Sequence, residues 1–155
     1  MGLKGVDFEP GAPVVLRRER ALSAPPARVW EALSRVEHWP RWHRGIRFAV
    51  LRGSVEPGAV LHWRADGMRI SSLLMEVEEE RRLGWTIRTL GARGYQRWSL
   101  EAVPGRGTLV RLEESWEGLM VRILARTLRR TLGASREEWL RGLERVAGAG
   151  KGGDS

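Results

Sequence analysis

The chain has 155 residues, of which 27 are basic and 19 acidic, so its formal net charge is +8, and it contains no cysteine. This length fits a single domain with its own core, and the lack of cysteine excludes disulfides and thiolate metal sites. Residues 1–9 contain no apolar run of the kind a signal peptide has, and no apolar stretch approaches the roughly 20 residues that a membrane-spanning helix needs. We therefore expect a cytoplasmic protein without a signal peptide.

The first predicted elements are one strand and two short helices. Apolar residues favour a strand at about 13–22, after a Gly- and Pro-containing segment, residues 1–12, that we expect to be loose. Prolines in residues 24–30 predict the start of a helix, because the first turn of a helix has no partner for the N–H that proline lacks. Ser34 and Glu37 have the spacing of a capping box, which predicts the start of a second helix.

Alternation of apolar and polar residues begins at Ile46 and predicts a series of β-strands. Six such strands follow one another, near residues 46–50, 61–65, 68–78, 83–87, 97–100 and 108–116. Asp66 and Gly67 predict a two-residue hairpin turn, because both central positions of such a turn need positive φ. The mixed phase of the strand that follows indicates a β-bulge or a strand buried on both faces. Together with the first strand, these predict a seven-stranded antiparallel sheet.

After Gly118 the apolar period returns to about 3.6 residues, which predicts one long amphipathic helix. We place the arginines of this segment, Arg136 included, largely on the outer face of the helix. Gly133, followed by Ser135 and Glu138 at capping-box spacing, predicts a kink or a restart of the helix at that point. The apolar stripe of the helix consists of Met120, Leu124, Leu128, Leu132, Trp139, Leu143 and Val146.

Short motifs in a fixed order carry a family resemblance: residues 24–30 (APPARVW), 38–42 (HWPRW), 57–58, 61–63, 82–85, 107–108 and 114–118. Together they resemble the polyketide cyclase/dehydrase family of the helix-grip superfamily (SRPBCC), which also includes START lipid-transfer domains and pollen-allergen-like carriers. The resemblance covers about 13–147, the predicted domain, and leaves residues 148–155 as a Gly-rich tail that we expect to be disordered.

The resemblance implies an α+β helix-grip fold. A seven-stranded antiparallel sheet would curl around the C-terminal helix, with two short helices between strands 1 and 2. It also implies an apolar ligand cavity between the sheet and the helix. No single reaction follows from it, because this fold hosts carriers, cyclases, hydrolases and regulators.

A ligand cavity is also expected from the order of the elements, because one helix cannot completely cover a seven-stranded sheet. Its tryptophans would stack on a flat or apolar ligand or, alternatively, only fill the core. The expected partner is a hydrophobic or aromatic small molecule, lipid-like or polyketide-like, bound by a monomer or homodimer. The predicted lining residues are Leu61, Trp63, Ser72, Leu74, Trp85, Trp98, Leu112, Trp116, Leu124 and Leu128.

Glu114 is the candidate catalytic residue, because it shares the inward face of its strand with Leu112 and Trp116. A carboxylate on an inward face is costly unless it is paired or protonated. In an enzyme of the cyclase/dehydratase or hydrolase kind, Glu114 would be a general acid/base and an inward arginine would stabilise an enolate. Alternatively, Glu114 is solvated at a strand end or paired with an arginine, so the sequence leaves carrier and enzyme open.

The three histidines, His38, His43 and His62, do not form a metal-binding pattern, because His38 and His43 are wrongly spaced for one helical face. We therefore expect no metal site. No phosphate-binding glycine pattern and no nucleophile elbow is present, so we expect no cofactor. A third alternative is binding of nucleic acid or an anionic surface by the arginine-rich face of the last helix. No aromatic residues are interleaved there, which disfavours single-stranded nucleic acid.

Overall fold

The computed structural model describes residues 7–152 as seven strands and four helices. The strands are β1 (Val14–Leu22), β2 (Ile46–Arg52), β3 (Val60–Ala65), β4 (Met68–Glu78), β5 (Arg82–Thr89), β6 (Ala92–Val103) and β7 (Gly107–Glu117). They form one antiparallel sheet in the order β1-β7-β6-β5-β4-β3-β2. The helices are α1 (Pro26–Ser34), α2 (Trp39–Trp42), α3 (Leu119–Ile123) and α4 (Ala125–Gly152). This arrangement confirms the predicted helix-grip fold.

The local turn signals in the sheet are confirmed. Asp66 and Gly67 have φ values of 53° and 80°, and the flanking residues Ala65 and Met68 pair directly, so β3 and β4 form a two-residue hairpin. The mixed phase of β4 is due to a register shift between Leu74 and Glu76, which is the predicted bulge.

The capping box predicted at Ser34 is wrong. The residue that precedes the short 3-10 turn Val36–His38 is Arg35, and no side chain caps this turn. Glu37 accepts instead a hydrogen bond from the backbone N–H of Leu51 at 3.4 Å, so its carboxylate binds β2. Spacing alone misled the prediction, because Ser34 is still part of α1.

The predicted interruption of the last helix at Gly133 is also wrong. Helix α4 runs through Gly133, and the helical segments separate earlier, at Leu124. Gly133 has a packing role instead, because a Cβ atom there would lie 3.0 Å from Nη2 of Arg18 on β1. The hydroxyl of Ser135 donates to Oδ2 of Asp66 at 2.9 Å and so joins the helix to the β3–β4 turn rather than capping a new helix.

The described parts of the two predicted terminal segments, residues 7–12 and 148–152, are more ordered than predicted. Residues 7–12 form no helix or strand, but Asp7 pairs with Arg97 at 2.6 Å and the N–H of Glu9 donates to Oγ of Ser115 at 3.0 Å. Helix α4 continues to Gly152, because extending an existing helix adds one hydrogen bond for each residue. The remainder of both predicted terminal segments, residues 1–6 and 153–155, lies outside the described residues.

The core lies between one face of the sheet and the helices. Helix α1 contributes Val29 and Leu33 to it, and α4 contributes mainly Leu132, Trp139 and Leu143, all of which are buried. Arg18 and Arg20 on β1 pair with Glu137 and Glu144 of α4, which fixes the helix along this edge of the sheet. Over residues 7–152, no helix is both long enough and apolar enough to cross a membrane.

Candidate ligand-binding site

Five buried tryptophans meet between the sheet and α4, where the open cavity was predicted. Trp139 of α4 lies 5.0 Å from Trp39 and 5.3 Å from Trp98, measured between ring centroids. Trp39 lies 5.5 Å from Trp63 and 5.4 Å from Trp85. Edge-to-face and tilted contacts at these distances stabilise a core beyond the effect of burial alone. The tryptophans that were predicted to line a cavity therefore pack largely against one another.

The predicted lining residues comprise eight buried strand residues, which we call the inward set, and two residues of the C-terminal helical segment. Leu128 is half-buried against the core. Leu124 is 41% exposed, because it lies at the break between α3 and α4 and not within the packed part of the helix. Its assignment to the lining is therefore wrong. The eight buried residues of the inward set are Leu61, Trp63, Ser72, Leu74, Trp85, Trp98, Leu112 and Trp116.

Four buried polar atoms of this region have no hydrogen-bond partner within the described part of the chain: Nε1 of Trp85, Trp98 and Trp139, and Oε1 of Gln96. Buried donors are nearly always paired, and leaving one unpaired costs about 1–3 kcal/mol. Among the described residues, the apolar interior therefore contains three unpaired donors and one unpaired acceptor.

Other buried indoles in the same region are paired, which makes the unpaired ones distinct. The N–H of Trp63 donates to Oγ of Ser72 at 3.0 Å, and that of Trp39 donates to the backbone oxygen of Leu33 at 3.1 Å. The hydroxyl of Ser72, a predicted lining residue, thus accepts a hydrogen bond from a neighbouring tryptophan.

Glu114 is completely buried, and its two carboxylate oxygens accept hydrogen bonds from three side chains. Arg136 donates to both oxygens, from Nε to Oε2 and from Nη2 to Oε1, the latter at 2.5 Å. Trp116 donates from Nε1 to Oε1 at 2.6 Å, and Gln96 donates from Nε2 to Oε2 at 3.4 Å. The sequence left open whether Glu114 is solvated at a strand end or paired with an arginine. In the structure it is buried and paired with an arginine.

Arg136 is the partner that sequence reasoning missed. Burial lowers the pKa of its guanidinium, but the charge and hydrogen bonds of Glu114, helped by Asp66, outweigh this effect and raise the pKa above its ordinary value. A signal was present, because Arg136 lies four residues after Leu132 and three before Trp139, within the apolar stripe of α4. The prediction that Arg136 lies on the outer face is therefore wrong.

His43 connects the end of α2 to the same part of α4. Its Nδ1 accepts the backbone N–H of Gly45 at 2.9 Å, so the other ring nitrogen, Nε2, donates to the backbone oxygen of Ser135 at 3.3 Å. Burial lowers the pKa of His43, and the nearby charge of Asp66 opposes this effect only in part. Over the described residues, no group of three or more histidines and acidic residues is placed to hold a metal ion.

A surface groove of about 430 Å³, which the sequence did not predict, lies outside the tryptophan cluster between α1, α2 and the end of α4. Its apolar part includes Trp42 and Val146, and its polar part includes Arg35, His38 and Arg41. The groove is a concave surface that a small molecule can reach without any change in the core.

The sequence itself matches one family. The model of the family described as polyketide cyclase / dehydrase and lipid transport matches residues 13–148. This match confirms the resemblance carried by the sequence motifs. A comparison with curated proteins finds no match to the chain.

Solved structures share this fold at low sequence identity. A hypothetical protein from Helicobacter pylori has a TM-score of 0.82 at 15% identity, over 95% of this chain and 98% of its own. A START superfamily protein from Mycobacterium smegmatis has a TM-score of 0.72 at 15% identity, over 85% and 96%. The di-domain ARO/CYC StfQ from the steffimycin biosynthetic pathway has a TM-score of 0.74 at 14% identity, over 90% of this chain and 52% of its own. At such identities the likeness shows the fold alone.

Proposed function

Since the chain belongs to the polyketide cyclase / dehydrase and lipid transport family, we propose that it binds a small apolar molecule carrying an oxygen acceptor between its sheet and α4. The observation that supports this proposal is the set of unpaired indole N–H groups of Trp85, Trp98 and Trp139 in an apolar interior. Burial of the ligand would contribute roughly 25 cal/mol per Å² of apolar surface, and the indoles would orient its oxygen.

The packing of the tryptophans sets a condition on this binding. Because the rings already contact one another, a ligand enters only when α4 or the rings move away from the sheet. The apparent affinity is then reduced by the fraction of molecules in the open state. We therefore expect binding to change the near-ultraviolet circular dichroism of the tryptophans, since their mutual packing must change.

Two probes of nearly equal shape test the proposal. Acetylnaphthalene carries a carbonyl acceptor and ethylnaphthalene does not. Satisfying a buried donor is worth about 1 kcal/mol, so we expect acetylnaphthalene to bind roughly fivefold more tightly in isothermal titration. Native mass spectrometry of freshly purified protein would detect a molecule that binds in the cell.

Two variants show where the preference arises. Trp98→Phe keeps an aromatic ring but removes the unpaired N–H, so we expect the preference for acetylnaphthalene to shrink. Trp30→Phe is the matched control, because Trp30 lies on α1 and only packs against the edge of the core. Equal binding of the two probes to the wild type, or loss of the preference in Trp30→Phe, would contradict the proposal.

A second candidate function is that of a cyclase-like enzyme, which the buried cation of Arg136 favours because a cation can stabilise an enolate. Glu114 would then have to leave its hydrogen bonds and act as general base. Deuterium exchange into the acetyl methyl group of acetylnaphthalene measures enolate formation directly. Exchange that is catalysed by the wild type and lost in Glu114→Gln would support the enzyme, whereas binding without exchange favours the carrier.

A further inference from the structure

Five large apolar side chains are exposed at one end of the molecule. Leu90, at the turn between β5 and β6, is 99% exposed, and Leu119, at the start of α3, is 72% exposed. Met120, Ile123 and Leu124 are also exposed. We call these five residues the apolar tip. Single exposed apolar residues are common on proteins, but a group of this kind marks a surface for another molecule or a membrane.

The turn that carries Leu90 lies against the segment that carries the other four residues. A Cβ atom at Gly91 would lie 2.7 Å from Cγ of Met120, and one at Gly118 would lie 2.7 Å from the backbone oxygen of Gly91. Val121 is completely buried and holds α3 against the core. The exposed side chains therefore lie on two adjoining segments and not on two independent loops.

Arginines lie beside the apolar tip. Arg88 is exposed next to Leu90, and Arg93, opposite it on β6, is paired with Glu117 at 3.9 Å. Arg122 and Arg126 follow on α3 and α4, and both are exposed. Between Glu117 and Glu137 the sequence contains no acidic residue, although it contains five arginines, of which Arg136 alone is buried. This segment therefore combines exposed apolar side chains with unbalanced positive charge.

We propose that the apolar tip docks on an anionic membrane surface. Its leucines and isoleucine would enter the boundary between headgroups and acyl chains, while the arginines would bind the phosphates of anionic lipids. The arrangement of an apolar face with arginines beside it is that of segments that lie at a membrane interface. This inference concerns the outer surface and does not depend on binding in the interior.

A second copy of the chain is a less suitable occupant. A symmetric contact through this surface would bring Arg122 and Arg126 of one copy close to the same residues of the other. No acidic residue of the segment would separate these charges, and like charges at an interface oppose association. An anionic membrane has the complementary charge.

Sedimentation with lipid vesicles tests the proposal. The full chain should bind vesicles of phosphatidylcholine with phosphatidylglycerol, bind vesicles of phosphatidylcholine alone much more weakly, and be released by added salt. Leu119→Ser/Ile123→Ser should abolish binding to both kinds of vesicle. Arg122→Gln/Arg126→Gln should weaken binding to the anionic vesicles, roughly fivefold for each arginine. Phe48→Ser/Val50→Ser is the matched control, because it removes two exposed apolar residues from the edge strand β2.

Three results would overturn the inference. One is the absence of binding to anionic vesicles, and another is an equal loss in the Phe48→Ser/Val50→Ser control. The last is a lipid-free dimer, seen by analytical ultracentrifugation, that Leu119→Ser/Ile123→Ser dissociates, since the apolar tip would then be a contact between copies. Urea unfolding of the same variants shows that they are folded and keeps this test separate from that of interior binding.

Discussion

Two ion pairs attach α4 to the sheet with the same bidentate geometry but in different surroundings. In the interior, Arg136 binds Glu114, and their side chains are 2% and 0% exposed. At the surface, Arg20 binds Glu144 through Nε and Nη2 at 3.2 and 3.1 Å, and their side chains are 34% and 45% exposed. Burial, and not the geometry of the pair, therefore decides what an arginine contributes in this arginine-rich chain.

The physical reason is desolvation. Removing two charges from water costs several kcal/mol for each ion, and the interior pair offsets this cost by hydrogen bonds to Trp116, Gln96 and Ser135. The surface pair stays in water, where its attraction is screened. The interior pair is therefore costly to break, whereas the surface pair is not.

The largest effect is expected from breaking the interior pair. Arg136→Met leaves the buried carboxylate of Glu114 without its cation, and we expect it to lower the free energy of unfolding by about 3–5 kcal/mol in urea titration. The double variant Glu114→Leu/Arg136→Met removes both charges and should restore most of this loss. A loss below about 1 kcal/mol in the single variant would mean that water reaches Glu114.

A smaller effect is expected from His43, whose ring lies beside the interior pair. Because its pKa is lowered in the folded protein, the unfolded chain takes up this proton first as the pH falls through the ordinary value of 6.5. His43 should therefore reduce stability progressively as the pH falls below that value, relative to about pH 7.5.

Variants separate this effect from that of the carboxylates. His43→Asn should remove this part of the loss of stability between the two pH values, as measured by urea unfolding. His62→Asn, at an exposed position, should keep it. An unchanged pH dependence in His43→Asn would show that His43 does not cause the loss.

The smallest effect is expected at the surface pair. Arg20→Gln should lower the free energy of unfolding by less than about 1 kcal/mol, and added salt should reduce even this difference. Thermal unfolding of the wild type and the variant at low and high ionic strength measures this difference in stability. A cost as large as that of Arg136→Met would show that exposure does not distinguish the two pairs.

The sequence predicts most of the fold because its signals are local. Alternation marks the strands, Asp66 and Gly67 mark their hairpin, and the return to a helical period marks the last segment. Capping boxes were less reliable, because Ser34 and Ser135 have the right spacing but lie within helices. The hydroxyl of Ser135 binds Asp66, a residue far away in the sequence.

The candidate site was harder to predict because it depends on contacts that are distant along the chain. The inward phase of Trp63, Trp85 and Trp98 gives the direction of these side chains but not whether their rings leave space between them. Arg136 interrupts an apolar stripe, and its partner Glu114 is 22 residues away on a strand. Only the packed structure shows that the two side chains meet.

The most direct test of ligand binding is nuclear magnetic resonance of the indole N–H groups during titration with acetylnaphthalene. We expect the resonances of Trp98 and Trp139, and also that of Trp85, to move most, because these donors have no hydrogen-bond partner among residues 7–152. The paired indoles of Trp63 and Trp39 serve as internal controls and should move less. Shifts confined to Trp42 would place the ligand in the surface groove and, like the absence of any shift, would contradict the account.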